Sequence, residues 1–349
     1  MKRSILPLVL AFALAPEPCV GCTSFAFGDS ARIVAKNYDW NVGVGLVIVN
    51  QRGVEKPFSL APVPGSPTWT SRYGSVTFTQ YGRDLPQGGM NEQGLVVEVL
   101  WLEGTSYPPD DDRLDIGCSQ WVQYALDTAA TVAEARGVLD SVQIRSTVPL
   151  HFFVADRHGD AASLEFLKGA EIGHCGADMP VQVLTNTPYA TALVYHRARM
   201  DGSVEEEPDD SGSQNRFVRA ATMIQGYAGS GDPVDYAFQI LEAVAHPEFT
   251  QWSIVYDQTG RTVYFRTREM PTRRVVVMDC IDFTCTTPVA MMSVDAPPGD
   301  HGVEWRPYTR EANLDLIRRA YAATPFLSSL SDSIRAMVAS YPDRSRCMQ

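Results

Sequence analysis

Two clusters of short, β-branched runs, with helical stretches between and after them, limit what this chain can become. Apolar runs at 22–28, 32–36, 45–50, 75–80 and 94–102 have strand length, and Asp29 and Ser30 mark a turn between the first two. Residues 118–128 read as a helix, and Thr131 with Glu134 three places on forms a capping box for the next. Strands are expected again at 151–155, 161–167 and 181–185, then at 252–256, 263–266 and 275–278. Two helices come before that last group. The second opens with Asp232 as cap and Pro233 in its first turn, and carries Val234, Phe238, Leu241 and Ala245 on one stripe. The acidic run 204–212 around Pro208 reads as a solvated loop, and the C-terminus as helical. Strand clusters separated by helix clusters, with no interdomain linker, point to one α+β domain with largely antiparallel sheets.

The N-terminus stands outside that pattern. Lys2 and Arg3 precede an apolar stretch at 5–15, followed by Pro16 and Pro18, which is the layout of a secretory signal peptide. The stretch is shorter than the ~20 residues that span a bilayer. With small Cys19 and Gly21 in the two positions a signal peptidase inspects, the expected cut falls between Gly21 and Cys22. Residues 1–21 are therefore expected to be a signal peptide and 22–349 one domain, exported to the periplasm or secreted. A lipoprotein leader would also leave a cysteine first, but Cys19 stands where such leaders carry leucine, and lipidation would block the α-amine.

The formal charge of −12 becomes −13 when Lys2, Arg3 and Glu17 leave, which speaks against nucleic acid or an anionic membrane as partner. Seven cysteines are too few for a disulfide scaffold at this length. Cys280 and Cys285 flank Asp282 and Phe283 in an expected hairpin and could pair in an oxidising compartment. At least one of Cys118, Cys175, Cys280, Cys285 and Cys347 stays unpaired within the chain.

No zinc-protease helix motif, glycine-rich phosphate loop, serine-hydrolase elbow or paired C-x-x-C is present. His151, His158, His174, His196, His246 and His301 are scattered without metal-ligand spacing, and Asp110–Asp112 reads as solvated loop. An enzyme here must work without a metal, an organic cofactor or a histidine dyad. Cys22 offers that route. An N-terminal cysteine carries both a thiol and an α-amine of pKa ~8, so one residue supplies nucleophile and base. A buried strand cysteine is the alternative, and the coincidence with the expected cut favours the nucleophile.

Cys22-Thr23-Ser24-Phe25 and Lys36-Asn37-Tyr38-Asp39-Trp40 closely resemble the opening of the choloylglycine hydrolase family. Its members are N-terminal-nucleophile amidases that include bile salt hydrolases and penicillin V acylases. The resemblance continues through residues 89–95 (GMNEQGL), 184–188 (LTNTP) and 215–219 (NRFVR), and ends in the hairpin at 252–266. It implies a four-layer αββα sandwich of two antiparallel sheets between helical layers. It further implies Cys22 as nucleophile, Asp39 holding the Cys22 amine and thiol, and Asn186 as oxyanion donor beside the backbone N–H at Trp101. Arg216 and Lys36 would be the cations near the thiolate. Trp101 and Asn91 would face the substrate.

Two departures qualify the copy. The family usually has arginine where this chain has Lys36, which keeps the charge without the planar fork. Bile salt hydrolases place asparagine where this chain has Trp101, and a tryptophan there resembles the acylases of Gram-negative bacteria. The stretch between Asn186 and Arg216 is also shorter than the assembly insertion of bile salt hydrolases. The reaction expected is hydrolysis of a linear, non-peptide amide through a thioester, on a small-molecule acyl amide of the penicillin V type. Conjugated bile salts, N-acyl homoserine lactones and N-acylethanolamines are the alternative substrates, and a catalytically silent secreted lipoprotein or binding module is the alternative class.

Overall fold

The computed structural model describes residues 21–29, 32–205, 212–298 and 303–348. The opening hairpin forms, with Thr23–Phe27 antiparallel to Ile33–Asp39 and every residue of both strands buried. Burial on both faces explains why these runs lack a polar alternation. They belong to a six-stranded sheet in the order Val183–Leu184, Thr23–Phe27, Ile33–Asp39, Thr250–Asp257, Thr262–Thr267, Arg274–Val277. A nine-stranded sheet runs Ala170–Cys175, Ala161–Leu167, Leu150–Ala155, Val96–Trp101, Gly88–Asn91, Ser75–Thr79, Leu46–Asn50, Ala290–Ser293, Arg306–Pro307. Both are antiparallel throughout.

The two-residue period of a strand assigns side chains to layers. Val96 and Leu100 join a core cluster that also holds Val34, Phe78 and Trp252, together with Phe217 and Phe238 from the helices Ser213–Gln225 and Pro233–Ala243. Val97 and Val99 point the other way, into a cluster with Trp121 and Leu126 of Cys118–Thr128 and Ala135 of Val132–Gly137. The layers are thus helix, sheet, sheet, helix: a four-layer αββα sandwich of the α+β class. Glu98 shares the inward face with Val96 and Leu100, so a carboxylate is delivered between the sheets.

The helix caps form where expected, one of them in part. Thr131 Oγ1 accepts from Glu134 N at 3.2 Å, but the Glu134 carboxylate accepts from Ala130 N at 2.7 Å instead of closing the box on Thr131, and Asp232 Oδ1 accepts from Val234 N at 2.8 Å. Val234, Phe238 and Leu241 form the buried stripe, while Ala245 falls beyond the helix end at Ala243. Asp110, Asp111 and Asp112 are exposed. Most of the acidic run, at 206–211, lies outside the described residues, as do Ser30 and His301.

The cysteine expectation is corrected. After Arg274–Val277 the chain enters the 3-10 turn Met278–Cys280 and no second strand follows before Cys285, so Cys280 and Cys285 do not face each other across a hairpin. Instead Arg346–Cys347 pairs with Val54–Pro57, which brings Cys347 to a Cα separation of 5.5 Å from Cys285, and these two are bonded. Cys118, Cys175 and Cys280 are free, as is Cys22.

Candidate active site

Cys22 sits at the edge of the strand Thr23–Phe27 and is only 4% exposed. Its thiol approaches the backbone oxygen of Asp39 at 3.8 Å. Asp39 closes the neighbouring strand, where a bulge in the partner shifts the register so that Thr250 opposes it. Such a bulge re-aims a side chain: Thr250 Oγ1 donates to Asp39 Oδ1 at 2.6 Å. The other carboxylate oxygen, Oδ2, is buried, makes no hydrogen bond among the described residues, and lies 3.9 Å from Arg216 Nη1.

Arg216, on Ser213–Gln225, is the organising cation. Nη1 donates to Cys22 O at 2.8 Å and Thr23 Oγ1 at 2.6 Å, and Nη2 donates to Asn186 Oδ1 at 2.9 Å. Because Arg216 takes the Asn186 oxygen, the amide NH₂ is turned away from it and donates to Trp101 O at 2.7 Å, which leaves its second N–H to point elsewhere. Trp101 ends its strand opposite Leu150, and since Leu102 N donates to Pro149 O at 2.9 Å, Trp101 and Leu150 form a non-hydrogen-bonded pair. The N–H and C=O of Trp101 therefore both face away from that partner, toward Asn186.

Lys36 lies behind this group. Its ammonium donates to Glu98 Oε2 at 2.7 Å, Val99 O at 2.7 Å and Gln87 O at 3.1 Å, which uses all three protons. Gly88 is needed here because the Glu98 carboxylate lies where its Cβ would be. Burial pushes the Cys22 thiol up to about 11, with Lys36 the strongest opposing influence, followed among the charges by Asp39 (raising) and Arg216 (lowering). Burial likewise raises Asp39 to about 7 against the pull of Arg216 and Thr250.

Beside Cys22 opens a cavity of about 240 Å³, walled by Trp40, Trp101, Tyr81, Val148, Leu150 and Phe326 among others. Its lining is mostly apolar and aromatic, and a flat ring or short chain fills such a volume. Gly21 precedes Cys22 in the niche between Asn186 and Arg216. A Cβ on it would collide with the Arg216 guanidinium and come within 2.8 Å of Asn186 Oδ1. Among the described residues no group of three or more metal-ligating side chains comes together, and no described helix is long and apolar enough to cross a membrane.

Residues 22–291 match the sequence model of the linear amide C–N hydrolases, choloylglycine hydrolase family. The chain belongs to that family. It is accordingly a hydrolase of carbon–nitrogen bonds in linear amides. The penicillin V acylase of Pectobacterium atrosepticum is 27% identical over 327 residues, covering 78% of this chain and 85% of that protein. The structure of penicillin V acylase from Agrobacterium tumefaciens superposes with a TM-score of 0.67 at 30% identity, over 78% of this chain and 90% of that one. A variant of conjugated bile acid hydrolase from Clostridium perfringens shares the fold, with a TM-score of 0.62 at 19% identity over 82% and 97% of the two chains.

Of the site residues read from the sequence, the fold brings Cys22, Asp39, Asn186, Arg216 and Trp101 together, with Lys36 on the same strand as Asp39. Asn91 is a correction. Its amide donates to Leu126 O and Ala129 O, and its oxygen accepts from Gln93 N and Leu95 N. Fully buried, it ties a turn to the helix Cys118–Thr128 and has no group left for a substrate. Glu98, Thr250, Trp40 and Phe326 went unread. Glu98 alone carried a signal, a lone carboxylate inside the apolar run at 96–102.

Proposed function

We propose that this hydrolase is an exported, penicillin V acylase-like amidase whose nucleophile is Cys22, freed as the N-terminal residue when the leader is removed. The observation that carries the reading is that Arg216 joins Cys22 O to Asn186 Oδ1 beside an Asp39 oxygen that has no hydrogen-bond donor among the described residues. A free α-amine at Cys22 would supply that donor. Gly21 fills the niche beside Asn186 and Arg216 while the leader is attached, so cleavage would also clear space for a substrate carbonyl. Export is supported by the Cys285–Cys347 disulfide, since such bonds persist in oxidising compartments.

In the reaction the α-amine takes the thiol proton and Cys22 Sγ attacks the acyl carbon. The Asn186 amide and the Trp101 N–H receive the negative charge that develops on the carbonyl oxygen. The carbon–nitrogen bond breaks, the leaving amine takes the proton back, and a thioester remains. Water then attacks, its proton passes through the same amine, and the acid leaves as the thiol re-forms. Arg216, through Cys22 O and Asn186 Oδ1, holds nucleophile and oxyanion donor in one frame.

The cavity argues for the acyl half of the substrate. About 240 Å³ with tryptophan walls suits an aryl or medium alkyl group better than four fused rings. The test is N-terminal sequencing of the exported protein, followed by kcat/KM for phenoxyacetyl, alkanoyl and cholyl amides. A start at Cys22 and preference for the first two are expected. A blocked or internal Cys22, or preference for cholyl amides, would overturn the reading.

A further inference from the structure

The cavity is not walled by the family-matched residues alone. That match ends at residue 291, yet Tyr321, Phe326 and Leu327 reach the cavity from the C-terminal segment. They come from the helix Arg310–Ala323 and the turn Pro325–Ser328. Thr324 is extended between them (φ −104°, ψ 112°), as a residue before proline tends to be, and Phe326 follows it into the cavity wall. The Phe326 ring lies 6.4 Å from Trp40 and 6.1 Å from Trp101, which are themselves 5.5 Å apart. The hydroxyls of Thr324 and Tyr81 are 3.0 Å apart, and Tyr81 OH accepts from Trp40 Nε1 at 2.7 Å. The segment is thus tied to one of the tryptophans it faces.

The rest of the segment is fastened to elements that also border the cavity. Gln120 donates to Tyr341 OH at 2.7 Å, and Tyr341 OH donates to Pro57 O at 2.8 Å. Arg344 donates to Ser59 O and Leu60 O at 2.8 and 2.7 Å. The Cys285–Cys347 bond locks the last strand.

We propose that this C-terminal segment is the selectivity wall of the acyl pocket, with Phe326 setting the length and bulk of acyl group that fits and the disulfide keeping the wall in place. The inference rests on the reading of the cavity as the acyl site of Cys22. It narrows the substrate to amides of flat arylacetic acids or of straight alkanoic acids short enough to end against Phe326.

The experiment compares wild type and Phe326→Ala in kcat/KM over one leaving amine with acetyl, phenylacetyl and progressively longer alkanoyl groups. The long-to-short ratio should rise about tenfold, the scale on which a pocket reads a methylene or two. An equal fall for every substrate would mean a merely structural ring and would overturn the proposal. Binding of the free carboxylic acids to the Cys22→Ala forms, read by tryptophan fluorescence, follows the same wall without turnover. If no amide is hydrolysed but the acids still shift toward longer chains in Phe326→Ala, the wall stands and the nucleophile reading falls. If turnover is robust and both series are unmoved, the wall falls alone. Cys347→Ser should relax the ratio in the same direction by a smaller factor, and an unchanged ratio would remove the disulfide from the proposal.

Discussion

Two lysines are buried to the same degree, each 1% exposed, and the molecule uses them differently. Lys56 sits 2.9 Å from both Asp84 and Asp127, and Asp127 further accepts from Trp69 Nε1 and Gln123 Nε2. Burial works against its ammonium, but Asp127 and Asp84 outweigh that and raise its pKa. That cluster of buried charges joins the strand Val54–Pro57 to the helix Cys118–Thr128. Lys36 has one carboxylate and two carbonyls, and Glu98 also takes the Tyr256 hydroxyl at 2.5 Å. Its ammonium has no donor left for a substrate, yet it is the largest charge effect opposing the burial of the Cys22 thiol. A buried cation can brace a fold or bias a neighbour without touching it. What each cation acts on tells which: Lys36 acts on the Cys22 thiol and on Asp39, and Lys56 on the two carboxylates it pairs with.

The sharpest test of the contrast is the thiol itself. Cys22→Ala should lower turnover by about four orders of magnitude or more, with a melting temperature close to that of wild type. Initial rates on an acyl amide decide it. Activity within tenfold of wild type would move the nucleophile elsewhere, with Cys118 in the same cavity the first suspect. Asn186→Ala should follow at about 10²–10³-fold, mostly in kcat, because one oxyanion donor is worth about 2.7–4 kcal/mol of barrier. A change confined to KM would assign Asn186 to binding.

The two lysines can be set against each other directly. Lys36→Met and Lys56→Met each leave buried carboxylate unpaired and should cost about 3–5 kcal/mol of stability in denaturant titrations. Only Lys36→Met should also lower kcat well below wild type in the surviving folded protein, since only there is charge taken from beside the thiol. Equal losses of kcat in both variants would mean that Lys36 braces the fold and nothing more.

Much of this arrangement could be read along the chain, and the remainder could not for identifiable reasons. The opening hairpin, the helix at 118–128 and the cap at Asp232 follow from period and local side-chain chemistry. Cys22, Asp39, Asn186 and Arg216 were reachable because each lies in a short motif whose order resembles a family. Thr250 was not, because its role depends on a bulge that changes its partner, and bulges leave no composition signature. Asn91 lay in a motif but served a turn: a motif marks a position without saying whether chemistry or backbone geometry requires it. The Cys285–Cys347 bond spans 62 residues, and connectivity over that distance cannot be deduced from spacing. Phe326 is one apolar residue in a helical tail, and only the three-dimensional path shows that it faces Trp40 and Trp101.

The smallest effect expected is a slope of stability with pH, and it bears on the unfilled Asp39 oxygen. With Gly21 still attached, burial lifts Asp39 from its ordinary 3.8 to about 7. Between roughly pH 4 and pH 7 the folded chain then keeps a proton that the unfolded chain has released. The unfolded state binds fewer protons in that window, so stability falls as pH rises through it and levels off above about 7. Asp39→Asn should flatten this segment of the profile. A free Cys22 α-ammonium beside Oδ2 would favour the charged carboxylate and draw its pKa back down, which shrinks the slope. The comparison to make is denaturant stability from pH 4 to pH 8 for a chain beginning at Gly21 and one beginning at Cys22. A smaller slope in the second places the amine beside Asp39. The same slope in both would separate the amine from the carboxylate, and the proton route drawn for the thiol would lose its geometry.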